Sequence, residues 1–367
     1  MRVGIVSYWF NRGQATVGRY LRSIFADLGY ATFVLARPTK DSFVRPRFID
    51  RTDVWDQSGV TAASDYDIPF DEYAAWVRTT GIDVAFFDQN YQFDEIARLR
   101  GLGVRTIGRF VWESFKPEHV AGAKRAFEVV YCLTRCEQAR YAQLGLAGPW
   151  IPWGCHPELR AVRAQRVGEC VCFFYPGGYV SKRKPTEAVI EAFSRVPSPR
   201  IRLILKAQHP QRVSTDIEAL ADDDPRIRIV AEDMPTHEYY QLFASCHVCL
   251  APSRWEGLGL HLYEATAFGM PIITNDNPPM NEIVRDGDNG LLVRSHKIGQ
   301  AVSGISSYDP DVDHLARAIE ALSDPQRVDE LARHAAKARQ ALSWEKTVKA
   351  FRELIEGVHT LGAVGAR

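Results

Sequence analysis

Short apolar runs alternate with amphipathic stretches along most of this chain. Val3–Ser7, Ala31–Leu35, Asp83–Phe87, Arg105–Gly108 and Val129–Leu133 are brief, largely apolar and bounded by turn residues, as buried strands are. A second series, Val171–Tyr175, Ile201–Leu205, Arg226–Val230, Cys246–Ala251 and Ile272–Thr274, has the same character. Helical spacing fills the intervals. It runs over Val17–Leu28, which Gly29 closes, Phe93–Leu99, Pro117–Ala126, a stretch to Leu144 stopped by Gly145, a stretch to Phe193, and Tyr239–Ala244. Strand, helix and strand in succession predict parallel α/β sheets. After Val293 the pattern gives a Gly/Ser-rich surface loop, then helices over Val312–Leu322 and Pro325–Ala341. Trp344, Val348, Phe351, Ile355 and Val358 make one stripe of a terminal helix.

The stretch from Pro252 to Val293 carries the most chemistry. Gly257, Leu258 and Gly259 precede a helix over about Leu258–Phe268, which Gly269 stops and Pro271 keeps from resuming. Glu256 falls in the loop at the carboxyl end of a strand, where open α/β sheets bind ligands, and Glu264 lies on the helix itself. Glycines let backbone N–H groups approach a ligand, and a helix N-terminus favours a negative group. A phosphate there, flanked by carboxylates that accept from sugar hydroxyls, fits a nucleotide-sugar. The plain alternative is a solvated loop residue at Glu256 and an exposed helix residue at Glu264.

This stretch resembles the donor-binding signature of the retaining GT-B glycosyltransferases of family 4, written E-x7-E. Glu256 and Glu264 match its acidic positions. Gly257, Gly259, Ala265, Ala267, Gly269 and Pro271 match their surroundings, and Glu282-Ile283-Val284, Asp286-Gly287 and Gly290–Val293 match the following element. The resemblance implies a GT-B fold: two Rossmann-like domains facing across a cleft, with the C-terminal helix crossing back to the first. It gives an N-terminal acceptor-side domain over 1–155, on which helix 344–358 packs, and a donor-binding domain over 156–343. It also implies that Glu256 contacts the donor sugar and Glu264 the ribose.

The second domain opens with a basic turn, Ser181-Lys182-Arg183-Lys184, between a strand and a helix, suited to clamping a diphosphate without a metal. The family pattern is Gly-Arg followed by Lys-Gly. Lys184 matches the lysine, while Tyr179 and Pro185 replace the arginine and the glycine. Lys182, Arg183 or Lys206 would supply the second cation. In the first domain Gly13 lies in the loop after the first strand, where the family faces donor phosphate; a plain tight turn is the competing reading. Gln89 and Asn90, then Arg109, Trp112 and Glu113, follow two further strands and are candidates for acceptor contact, as more weakly is the loop-rich segment Pro38–Asp71. The family's active-site histidine has no counterpart between Met1 and His119. His156 is read as a linker residue.

Composition narrows the class. The 367 residues suit two domains, and 45 basic residues balance 45 acidic ones, which gives no reason to expect nucleic acid as a partner. No apolar run is long enough to span a bilayer and no signal peptide is evident, so a cytoplasmic location is expected, with peripheral membrane contact left open. Seven cysteines, an odd number, suit reduced thiols, and Cys246-His247-Val248-Cys249 reads as a core strand because no second Cys/His pair follows at zinc spacing. The expectation is therefore a metal-independent hexosyltransferase that uses a nucleotide diphosphate sugar as co-substrate, a UDP- or GDP-sugar, and needs no cofactor. Its acceptor would be a hydroxyl on a saccharide, a lipid-linked glycan or a small natural product. Two other readings stay open: a catalytically silent nucleotide-sugar-binding partner, and another GT-B enzyme such as an epimerase.

Overall fold

The computed structural model describes residues 1–163, 166 and 169–364. The chain divides into two units, Met1–Pro152 with Glu345–Arg367, and Trp153–Trp344. Six strands form the sheet of the first: β1 (Arg2–Tyr8), β2 (Ala31–Arg37), β3 (Val60–Ala62), β4 (Val84–Asp88), β5 (Arg105–Arg109) and β6 (Val129–Val130). They lie in the order β3-β2-β1-β4-β5-β6, and every neighbouring pair is parallel. The sheet of the second is built from β7 (Val171–Gly178), β8 (Ile201–Ala207), β9 (Ile227–Ala231), β10 (Val248–Leu250), β11 (Ile272–Asn275) and β12 (Gly290–Val293). Its order, β12-β11-β10-β7-β8-β9, is again all parallel. Both sheets reverse direction of growth beside their first strand. The crevice at that switch point, between β1 and β4 or between β7 and β10, is where such sheets accept ligands.

Parallel sheets are covered on both faces, so their strands are apolar throughout, and β4 is buried at every position. In the first unit Phe87, Phe110 and Phe127 pack with Trp76 and Tyr73, and in the second Phe173, Leu203 and Leu205 pack with Ile190, Phe193 and Leu315. The helices that matter here are α1 (Gly13–Asp27), α2 (Phe70–Thr80), α3 (Phe93–Arg100), α4 (Val120–Ala126), α5 (Arg135–Gln143) and α6 (Pro157–Ala161). They continue as α7 (Thr186–Ser194), α8 (Thr215–Asp222), α9 (Thr236–Ala244), α10 (Leu260–Ala267), α11 (Met280–Ile283), α12 (Val312–Ala321), α13 (Pro325–Ala341) and α14 (Trp344–Val364). Phe351 of α14 puts its ring 6.0 Å from that of Phe25 and 5.3 Å from that of Tyr131, inside the first unit. Among the described residues no helix is long and apolar enough to cross a membrane.

Two expectations need correction. Gly13 is the first residue of α1 and not part of a loop, since Thr16 N–H already donates to Arg12 O at 2.7 Å. The segment after Val293 is an antiparallel hairpin, β13 (Ser295–Gln300) with β14 (Ser306–Pro310), not an irregular loop. Its pairing is stabilised from outside. Asn275 Nδ2 donates to Tyr308 O at 3.4 Å, Tyr308 N–H donates to Arg254 O at 3.1 Å, and Arg254 pairs with Asp309. The unit boundaries fall at 152/153 and 344/345. Trp153 and Cys155 go with the second unit because Trp153 packs edge-on against Trp344 and Cys155 N–H donates to Leu342 O at 2.9 Å.

Candidate active site

The turn after β7 and the loop after β10 meet at the switch point of the second sheet. Lys184 lies at the end of the first, held by its N–H to Ser181 O at 2.7 Å, just before α7. Glu256 lies in the second, ahead of Gly259. Gly259 has φ +72° and serves as the N-cap of α10, and a Cβ there would stand 3.0 Å from Leu262 Cδ1.

Across this junction Lys184 Nζ lies 2.7 Å from Glu256 Oε1 and donates to Ser253 Oγ at 2.8 Å, while Ser253 donates to the same carboxylate oxygen at 2.7 Å. Arg183 approaches the other oxygen at 3.5 Å. Lys184, Ser253 and Glu256 are all buried. Burial favours a neutral carboxyl, but Arg183 and Lys184 hold Glu256 well below the ordinary range. Burial lowers Lys184, and Arg183 adds to this against the pull of Glu256. Two cations, Arg183 and Lys184, are thus set against one carboxylate at the junction. His261, on the first turn of α10, has its Nε2 3.9 Å from Glu256 Oε1 and no hydrogen-bond partner for that nitrogen. Burial and Lys184 push it down to about 3, so the ring is neutral at pH 7.

Glu264 projects from the middle of α10 and accepts from Tyr239 Oη of α9 at 3.2 Å. Burial raises its carboxyl to about 7, with Tyr239 opposing and Glu158 assisting. One helix therefore carries both ends of the candidate site, Gly257–His261 around its start and Glu264 about one turn on.

The other basic candidates separate. Lys206 is buried and donates to Ala207 O at 2.7 Å and Glu232 O at 2.5 Å, so it braces the β8 and β9 loops. Lys182 is exposed and contributes its carbonyl to Arg254 Nη1 at 2.8 Å. Gly13 lies in the first unit, at the start of α1.

In the first unit, Gln89, Asn90 and Arg109 are buried and tied to their own domain. Gln89 Oε1 accepts from Val111 N–H at 3.0 Å, Asn90 Nδ2 donates to Tyr73 Oη at 2.8 Å, and Arg109 Nη1 lies 3.0 Å from Asp88 Oδ1. Glu137 completes this buried network, accepting from Leu133 N–H at 2.9 Å and Trp112 N–H at 3.2 Å. Burial pushes its carboxyl up to about 7 against Arg109. Trp112 and Glu113 are half-buried beside it.

Ser253, His261 and Tyr239 are site residues that sequence reasoning did not single out. Ser253 and His261 flank Glu256 in the chain, a signal available once Glu256 is taken as the centre, whereas Tyr239 comes from a different helix. His247 of the Cys-His-Val-Cys run accepts from Cys172 N–H at 3.0 Å, and no group of three metal-ligating side chains occurs among the described residues.

Residues 172–340 match the family model for glycosyl transferases group 1. The alpha-maltose-1-phosphate synthase of Mycolicibacterium smegmatis is 28% identical over 160 residues, 42% of this chain and 39% of that protein. The D-inositol 3-phosphate glycosyltransferase of Mycobacterium tuberculosis is 29% identical over 202 residues, 54% of this chain and 39% of that protein. The chain thus spans well under half the length of these relatives. Among solved structures, sucrose-phosphate synthase from Thermosynechococcus elongatus superposes with a TM-score of 0.75 at 18% identity, covering 98% of this chain and all 100% of that one. Anabaena HepE in complex with UDP and glucose gives 0.70 at 17% identity, covering 98% and 100%. These likenesses and the two six-stranded parallel sheets make this a GT-B fold.

Proposed function

From a chain whose residues 172–340 match the family model for glycosyl transferases group 1, we propose a retaining glycosyltransferase that moves a hexosyl group from a UDP- or GDP-sugar to an acceptor hydroxyl. The observation that carries this reading is the pair of cations, Lys184 and Arg183, brought together at the β7/β10 junction. Two cations there share a single carboxylate beside the start of α10. A diphosphate leaving group needs such charge, most of all as it departs, and cations fixed in a buried site stabilise it without reorganisation.

In this reading Lys184 and Arg183 face the diphosphate, assisted by the backbone N–H groups of Gly257–Gly259 and the first turn of α10. Glu256, anchored by Lys184 and Ser253, orients the sugar through its hydroxyls and holds the anomeric carbon in line with the acceptor. Glu264 receives the ribose hydroxyls, with Tyr239 fixing its carboxyl. No metal is assigned a role. The first unit supplies the acceptor side, and its buried Asp88–Arg109–Glu137 network braces the loops after β4 and β5. That HepE is described with UDP and glucose bound supports a uridine nucleotide as the first donor to try.

The test is a screen of the purified chain against UDP- and GDP-hexoses with mixed hydroxyl acceptors, read by mass spectrometry. Donor consumption and a product heavier by one hexosyl unit are expected, in EDTA as well as without it. A chain that binds nucleotide but consumes none of the donors, even by slow hydrolysis, would be a silent binding partner instead.

A further inference from the structure

A second basic site lies at the opposite end of α10. A cavity of about 320 Å³ is bordered by Arg160 at α6, Arg163 and Arg166 in the segment after it, and Arg339 of α13, with Ala244, Ala267 and Phe268 among the rest of its wall. Among the described residues none of the four guanidiniums forms an ion pair with a carboxylate. Asp329 acts on Arg166 only through space, without a contact.

Part of this charge has a local explanation. Arg166 Nη2 donates to Phe268 O at 2.8 Å, and Arg339 Nη1 donates to Ala267 O at 3.3 Å, so these two cap the last carbonyls of α10. A helix C-terminus is equivalent to only about half a negative charge, however, against four positive ones. Among the described residues the Arg163 guanidinium donates only to the neighbouring carbonyls Arg160 O, at 2.8 Å, and Val162 O, and the Arg160 guanidinium makes no hydrogen bond. A guanidinium carries five donors, and each of these keeps most of them unspent. Four like charges around one hollow repel one another, and a surface with no anionic partner would gain by spreading them apart.

We propose that this cavity is a binding site for a phosphate-bearing ligand, separate from the Lys184–Glu256 junction. Planar guanidiniums meet phosphate oxygens with paired N–H donors, and several around one cavity suit a group with two or more negative charges. The volume accommodates a phosphate on a small organic body, for which the ring of Phe268 and the methyls of Ala244 and Ala267 give an apolar wall. A soluble phosphorylated metabolite and a lipid phosphate share this chemistry. The inference rests on the cavity alone and stands whether or not the chain transfers sugars.

The experiment uses the full chain carrying Lys184→Ala with Arg183→Ala, which removes both cations of the other basic site, titrated with inorganic pyrophosphate by calorimetry at low salt. One binding event is expected to remain. Arg160→Gln with Arg163→Gln, both exposed residues whose loss leaves the fold intact, should weaken it by at least about tenfold, as should Arg339→Gln alone. A second arm sediments the same proteins with vesicles of phosphatidylglycerol in phosphatidylcholine. Arginine-dependent sedimentation identifies the phosphate as lipid-borne, and pyrophosphate binding without it identifies a soluble ligand. If neither probe binds, or if binding is indifferent to the arginines in variants with an unchanged circular dichroism spectrum, the site is refuted.

Discussion

Replacing Glu256 by glutamine strips the shared carboxylate of its charge and leaves Lys184 and Arg183 facing each other. At 2.7 Å and an effective dielectric near 20, the Lys184–Glu256 attraction is about 6 kcal/mol before desolvation is subtracted. Removing one partner of such a buried pair costs about 3–5 kcal/mol, because the other charge is stranded. The geometry makes the two single replacements unequal. Lys184→Met leaves Glu256 with Arg183 at 3.5 Å and with the Ser253 hydroxyl, so its loss is partly compensated. Glu256→Gln takes the carboxylate away from both cations, the buried Lys184 among them. We therefore expect Glu256→Gln to destabilise the protein more than Lys184→Met. The double variant should be milder than the sum of the two by about 2 kcal/mol or more, since it leaves only Arg183, which is partly solvated. Urea denaturation followed by fluorescence, with all four proteins at one pH, measures the cycle. A coupling below about 0.5 kcal/mol, the ordinary scatter of additivity, would refute the pair as an energetic unit, and a larger loss for Lys184→Met would refute the shared-carboxylate arrangement.

Other outcomes follow from the same geometry. Glu256→Gln should depress hexosyl turnover roughly a hundredfold while leaving affinity for the free nucleoside diphosphate nearly unchanged, whereas Glu264→Ala should weaken that affinity by about 1.5–3 kcal/mol; calorimetry and initial rates separate the two. Because burial raises Glu264 from 4.5 to about 7, the folded state keeps a proton that the unfolded state loses, so its contribution, on the order of 3 kcal/mol, favours folding at low pH and fades as pH rises through that window. Glu264→Gln should remove this slope from a pH series of denaturation midpoints, and an unchanged series would contradict it. Arg109→Met should destabilise the first unit by about 3–5 kcal/mol by stranding Asp88 and Glu137, read by thermal melting. Phe351→Ala should cost a similar amount, about 3–5 kcal/mol, through the cavity left between Phe25, Phe86 and Tyr131.

What the sequence made legible depended on whether the signal was local. Strands such as Val84–Asp88 and Ile201–Ala207 stand out because both their faces are covered, so their apolar runs need no partner to be recognised. Helix Pro325–Ala341 was legible to the residue, with Asp324 capping Gln326 N–H and Pro325 at its start. The hairpin Ser295–Pro310 was not, because its strands are largely polar, the first of them mostly exposed, and its anchors, Arg254 and Asn275, come from elsewhere in the chain. At the site, Glu256 and Lys184 were each visible from their own loops. That they form one pair across 72 positions follows from β10 lying beside β7, which no local pattern encodes. The polar residues after β4 and β5 show the opposite limit. A buried asparagine bonded to a tyrosine and an asparagine awaiting a ligand look the same in one dimension.

The cysteines give the molecule a built-in clock for its own opening. None of the seven is in a disulfide, and four are shielded: Cys132 in the first unit, and Cys155, Cys246 and Cys249 in the second. Burial also pushes the thiols of Cys132, Cys155 and Cys249 upward, so the reactive thiolate is scarce in the closed state. Alkylation at these positions must wait for the surrounding structure to part, and each adduct, located by peptide mapping, dates an opening event in one unit or the other. Denaturant curves average the two halves of the chain, whereas the labelling rate of Cys132 set against that of Cys249 would resolve whether they open together or one at a time.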